Sequence, residues 1–123
     1  MILDAFIKKC PKDTTEIKKI LVEIIESIGM VVADLGDNQP NPIAWYCADP
    51  DNQGMTASAI LTTSHIVLHV WDKSEVGELH FDLYSCSDYD EQEITQKLSD
   101  LFGIVSGELT LQDRLSFKTQ KIK

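Results

Sequence analysis

Between Leu61 and Trp71 the chain reads LTTSHIVLHVW, so two threonines, Ser64 and His65 open an apolar run in which His69 follows four residues later. The next apolar run, LHFDLYSC, ends on a thiol, Cys86. Hydroxyl, imidazole and thiol groups can support nucleophilic and acid–base chemistry when a fold gathers them. A serine hydroxyl can attack the carbonyl that precedes it and convert the amide to an ester, if neighbours take its proton and stabilise the oxyanion. β-Elimination then cuts the chain and leaves dehydroalanine, which hydrolyses to a pyruvoyl group on the new N-terminus. Such a carbonyl forms an imine with a substrate amine and serves as an electron sink for decarboxylation. Spacing alone does not select this chemistry. Taken singly, Ser64 is a turn hydroxyl, Cys86 a small buried hydrophobe, His69 a polar group on a sheet face and Glu75 solvated surface.

The elements that must position these groups follow from hydrophobic periodicity. ILDAFI reads as a first strand, and Ile17, Ile20, Leu21, Ile24, Ile25 and Ile28 recur at helical spacing between Asp13 and Ile28. Asp13 with Glu16 gives a capping-box start, and Gly29 stands at the expected stop. MVVADL is predicted as a strand, GDNQPNP as a turn-rich break and IAWYCA as a short strand. Met55 to Thr63 and His65 to Trp71 alternate as longer strands, and WDKSEVGE is a hairpin loop leading into LHFDLYSC. A second helix is predicted from Glu91 to Phe102, then a last strand GELTLQDRLSF and a frayed Lys-rich tail, KTQKIK. The pattern predicts an α+β fold, a two-layer α/β sandwich with a mainly antiparallel sheet and two helices on one face. Pairing Trp71 with Glu78 would set His69 opposite His80 and bring Thr63 and Ser64 beside Cys86, a hydroxyl, imidazole and thiol cluster at one sheet end.

Composition narrows the function classes. A 123-residue chain with 43% hydrophobic and 25% charged residues suits one domain spanning 1–123. Its net charge of −9 and scattered lysines offer no stripe for tracking phosphates, so nucleic acid is not an expected partner. No run approaches the roughly 18 apolar residues of a membrane span, and MILDAFIKKCPKD lacks secretory-signal order, which points to a cytoplasmic protein with no membrane partner. Cys10, Cys47 and Cys86 are too few and too widely spaced for a disulfide framework.

SHIVLHVW, EVG and FDLYSC together resemble the prokaryotic S-adenosylmethionine decarboxylases, whose pattern is approximately E-S-H-[IL]-x-[IV]-H-[ST]-W-P-E-x-G followed by V-D-[VL]-[FY]-T-C-G. LDAFIKKC is similar to that family's first strand, L-x-A-x-F-x-x-C. The resemblance implies a small self-processing enzyme of polyamine, and hence spermidine, synthesis, made as a zymogen and assembled as a homodimer. By the same resemblance the chain would cleave between Thr63 and Ser64, and Ser64 would become the pyruvoyl group that binds a small-molecule substrate. His69 and Thr56 would assist processing, Cys86 would protonate the carbanion left by carbon dioxide, Glu75 would bind the ribose and His65 would shape the site.

The departures matter too. Thr63 replaces the family glutamate, the loop after Trp71 is two residues longer and lacks the proline, and Ser87 replaces the glycine after the cysteine. The family's adenine-stacking aromatic falls in DPDNQG, which has none, leaving Trp45 and Tyr46 as substitutes. Relatives that decarboxylate arginine or ornithine make an amino-acid substrate one alternative, and an unprocessed homologue that binds a ligand or partner another. A metal held by His65, His69, His80, Asp82 and Cys86 is a further possibility, but their spacing matches no compact motif and none is expected.

Overall fold

A computed structural model describes residues 1–114. Within them, strands β1 (Ile2–Ile7), β2 (Ile43–Cys47), β3 (Gly54–Leu61), β4 (Ser64–Trp71), β5 (Gly77–Tyr84) and β6 (Ile104–Thr110) alternate with helices α1 (Thr14–Ser27) and α2 (Glu91–Phe102). The strands form one sheet in the order β2-β3-β4-β5-β1-β6, each adjacent pair antiparallel. The predicted α+β sandwich is therefore the observed architecture. No helix among the described residues is long and apolar enough to cross a membrane.

Local chemistry explains the helix ends. The Asp13 carboxylate accepts the Glu16 N–H at 2.8 Å, while Glu16 reaches back to the Lys12 N–H at 2.7 Å. Asp90 accepts the N–H groups of Gln92 and Glu93 at the start of α2. At its end Gly103 takes a left-handed φ of +63° and donates its N–H to Ser99 O, a conformation that favours glycine.

Both helices pack on one face. Ile17, Leu21, Ile24 and Ile25 of α1 and Ile94, Leu98 and Phe102 of α2 are fully buried against Ile7, Ile66, Leu68, Leu79 and Phe81 of the sheet. Each such aliphatic or aromatic side chain contributes about 1.5–3 kcal/mol by leaving water. Strand alternation fixes the other face. There His65, Val67, His69 and Trp71 of β4 stand beside Glu78, His80, Asp82 and Tyr84 of β5, since Trp71 pairs with Glu78 and His69 with His80, as predicted. Among the described residues that face has no helix above it, and it exposes Ile2, Phe6, Ile43, Trp45 and Ile60, with Trp45 67% exposed.

Three predicted elements are corrected. MVVADL is not a strand: it forms a single bridge, Val32 with Leu61. β2 and β4 flank β3, and β2 leaves unpaired only the edge beyond Ser58, where Ala33 N–H and Asn41 bond to Ile60. The strand predicted as Met55 to Thr63 ends at Leu61, which pairs with Ser64 around a two-residue turn, Thr62 and Thr63. The last strand starts at Ile104 and ends at Thr110, because β1, its partner, runs out at Ile2. Of its remaining predicted span, residues 111–114 are not strand, and residues 115–117 with the tail 118–123 lie outside the described residues.

Candidate active site

Two small constellations occupy different parts of the sheet. The first sits where the β3–β4 turn meets the end of β5. His65 pairs with Tyr84, and continuing that register two residues each way places Thr63 near Cys86, just past β5. Thr63 Oγ1 lies 2.7 Å from Cys86 Sγ, and the Ser64 hydroxyl donates to the same sulfur at 3.6 Å. The backbone N–H of Cys86 donates to Ser64 Oγ at 3.1 Å. Ser64 follows the inward parity of Ile66 and Leu68 and is 6% exposed, so this N–H satisfies an otherwise buried hydroxyl. Thr63, Ser64, His65, Tyr84 and Arg114 line a shallow cavity of about 400 Å³.

Cys86 itself is exposed. Hydrogen bonds from the hydroxyls of Thr63, then Ser64 and Ser87, hold its thiol below the usual range by favouring the thiolate. Cys10 shows the opposite behaviour: burial and then Asp72 push its thiol up. Ser87, whose Oγ is 3.7 Å from Cys86 Sγ, was not singled out from sequence; its only signal was that a hydroxyl replaces the family's glycine beside the cysteine.

The second constellation lies on the helix-free face. Thr56 and His69 are paired across β3 and β4, and Thr56 Oγ1 is 2.8 Å from His69 Nδ1. That contact anchors the ring through Nδ1 and leaves Nε2 outside it. His69 is five residues from Ser64 and of opposite parity on the same strand. At about 3.3 Å per residue the two are roughly 16 Å apart along β4. The structure thus joins hydroxyl and thiol at one sheet end, with His65 next to Ser64, and places the imidazole of His69 farther along β4 on the opposite face from Ser64.

The remaining candidates are dispersed. His65 is exposed beside Ser64 and stacks on Tyr84 at 5.6 Å, with Arg114 4.7 Å above the Tyr84 ring. Glu75 is exposed in the β4–β5 loop, at the opposite end of that hairpin from Ser64. Trp45 stands opposite Thr56 on the free face and Tyr46 opposite Met55. No group of three His, Cys, Asp or Glu side chains that could hold a metal ion occurs among the described residues. His80 lies instead 3.9 Å from Asp4 and 3.8 Å from Glu78.

The family model for S-adenosylmethionine decarboxylase matches residues 6–114, which include both constellations. The chain belongs to the S-adenosylmethionine decarboxylase family. A solved structure of the adenosylmethionine decarboxylase from Aquifex aeolicus VF5 is similar over 99% of this chain and 94% of that one, with a TM-score of 0.63 at 10% sequence identity. At that identity the likeness speaks to the fold. No curated protein matches the chain. Membership of a decarboxylase family makes the Ser64 and Cys86 pair the natural starting point for its chemistry.

Proposed function

We propose that this chain is a self-processing, pyruvoyl-dependent decarboxylase of S-adenosylmethionine acting in polyamine synthesis. The observation that carries the reading is the convergence of Ser64 Oγ, the Cys86 N–H and the Cys86 thiol at the peptide bond after Thr63. Ser64 Oγ bonds to the Thr63 carbonyl carbon, the Thr63–Ser64 amide bond breaks, and the hydroxyl proton passes to the Ser64 nitrogen. Loss of the Ser64 Cα proton then expels the Thr63 carboxylate; water replaces the nitrogen, which leaves as ammonia. The Cys86 N–H at Ser64 Oγ and the shallow cavity beside it fit the pyruvoyl group this would create. Once formed, that group supplies the electron sink for decarboxylation of a bound amino acid. Cys86, whose thiol the neighbouring hydroxyls hold within reach, delivers the proton that replaces carbon dioxide.

Processing also needs a base for the Ser64 hydroxyl, and His69 in the same chain is too distant to act directly. A second copy meets that need. Two copies packed through their helix-free faces would bury Ile2, Phe6, Ile43, Trp45 and Ile60 and carry the Thr56–His69 pair of one copy toward the exposed β3–β4 turn of the other, where the Thr63–Ser64 bond lies. Glu75 would enter the substrate site by the same packing. Intact mass of the denatured protein tests the reading: fragments 1–63 and 64–123, the second with a blocked N-terminus, are expected. Carbon dioxide released from carboxyl-labelled S-adenosylmethionine then tests the substrate. A chain that stays whole on prolonged incubation refutes the processing.

A further inference from the structure

We propose that Thr63 is a positioning residue for self-cleavage, its left-handed backbone loading the Thr63–Ser64 peptide bond with strain that the acyl shift to Ser64 releases. The inference rests on the processing reading above. Thr63 has φ +54° at the second position of the two-residue turn between β3 and β4. Turns that need positive φ there use glycine or asparagine, and a β-branched residue in that region is a true outlier. The other non-glycine residues with positive φ among those described are Asp37 and Asn38, types that tolerate it.

Thr63 is held there from both sides. Leu61 and Ser64, both buried, pair across the turn and fix its ends. The Thr63 hydroxyl lies 2.7 Å from Thr62 O and 2.7 Å from Cys86 Sγ, and its one proton serves either partner. Strain persists only where such surroundings over-determine it, and here it sits on the bond that Ser64 is placed to attack.

The acyl shift relieves it for a simple geometric reason. In the amide, the Thr63 carbonyl carbon reaches Ser64 Cα through nitrogen alone; in the ester the path runs through Oγ and Cβ. The turn gains one backbone atom, and φ of Thr63 can leave the left-handed region. Moving an acyl group from nitrogen to oxygen sacrifices amide resonance and runs uphill, so release of ground-state strain offsets part of that cost. Elimination then frees Thr63 as the last residue of the first fragment.

The test is the rate of appearance of fragments 1–63 and 64–123, followed by intact mass after purification of uncleaved chain, for wild type, Thr63→Gly, Thr63→Asn and Thr63→Val. Glycine and asparagine accept positive φ and are expected to slow cleavage about 5–30-fold, the left-handed cost of roughly 1–2 kcal/mol converted at about 1.36 kcal/mol per tenfold. Valine keeps β-branching without the hydroxyl and is expected to cleave within about threefold of wild type, a rescue that a merely structural threonine would not show. In the uncleavable Ser64→Ala chain, Thr63→Asn is expected to raise the melting midpoint by about 3–6 °C. Equal rates for wild type, glycine and asparagine would overturn the strain proposal alone, as would a valine variant as slow as the glycine one. A wild-type chain that never cleaves would refute the processing reading itself.

Discussion

Separation of Ser64 from His69 within one chain makes a demanding prediction about pairs of chains. They lie on one strand, five positions apart and on opposite faces, roughly 16 Å along β4, whereas proton transfer needs heavy atoms within about 3 Å. Thr56 cannot shorten that gap, because it holds Nδ1 of His69 at 2.8 Å on the helix-free face. If His69 acts on Ser64 it must do so across a two-fold pair, so a Ser64→Ala chain and a His69→Ala chain should complement each other. Each variant alone should stay largely uncleaved, with His69→Ala slowed about 10²–10⁴-fold. In a heterodimer one site combines Ser64 from the His69→Ala chain with His69 from the Ser64→Ala chain, and the other site has neither. Random assortment makes about half of all dimers mixed, so about a quarter of the wild-type number of sites should mature. The assay is co-expression with two different tags, sequential purification on both, and intact mass. Every His69→Ala chain in the doubly purified sample should be cut at the bond after Thr63, and every Ser64→Ala chain should be whole. A doubly tagged dimer that remains uncut, while wild type cuts, would refute the reasoning, as would His69→Ala cutting alone at the wild-type rate.

Other outcomes follow from the first constellation and from the core. Cys86→Ala should still cleave into two fragments but lose at least about 10²-fold in carbon dioxide release, separating processing from turnover; equal losses in both would contradict the role given to the thiol. Hydroxyl donors favour the charged form of Cys86, so its alkylation by iodoacetamide in the uncleaved chain should rise with pH earlier than that of Cys10, which burial holds protonated. Removing a donor reverses the sign: Thr63→Val and Ser87→Ala should each shift the Cys86 inflection to higher pH, as read by peptide mass mapping across a pH series. Phe81→Ala, which empties a fully buried position at the centre of the sheet, should cost about 3–5 kcal/mol in a urea titration.

What the sequence could disclose depended on how local each cause is. Both helices were legible because the isoleucine spacing of α1 and the apolar stripe of α2 are intrinsic to their segments, with Asp13 and Gly29 marking the limits of α1. The Trp71 to Glu78 pairing was legible too, since the charged loop between them leaves few registers that keep Leu68, Val70, Leu79 and Phe81 on one side. MVVADL failed for a non-local reason: its apolar alternation suits a strand, but β2 and β4 already occupy most of both edges of β3. The extent of β6 failed similarly, its end being set by where β1 stops. Neither boundary is written in the residues that cross it.

The candidate site divides along the same line. Register between β4 and β5 brings Thr63 and Cys86 together, and that register could be read from the hairpin. Register between β3 and β4 brings Thr56 to His69, and it could not, because the turn that sets it contains neither glycine nor asparagine. The sequence pattern therefore puts the break between the two strands at Ser64 rather than at Thr62 and Thr63, where the chain reverses direction. A local rule broken at one position, with neighbours that compensate, is expected where function requires the strained conformer. The missing turn residue and the reactive bond coincide at Thr63, so the feature that hid half of the site from sequence is the one that the cleavage chemistry would use.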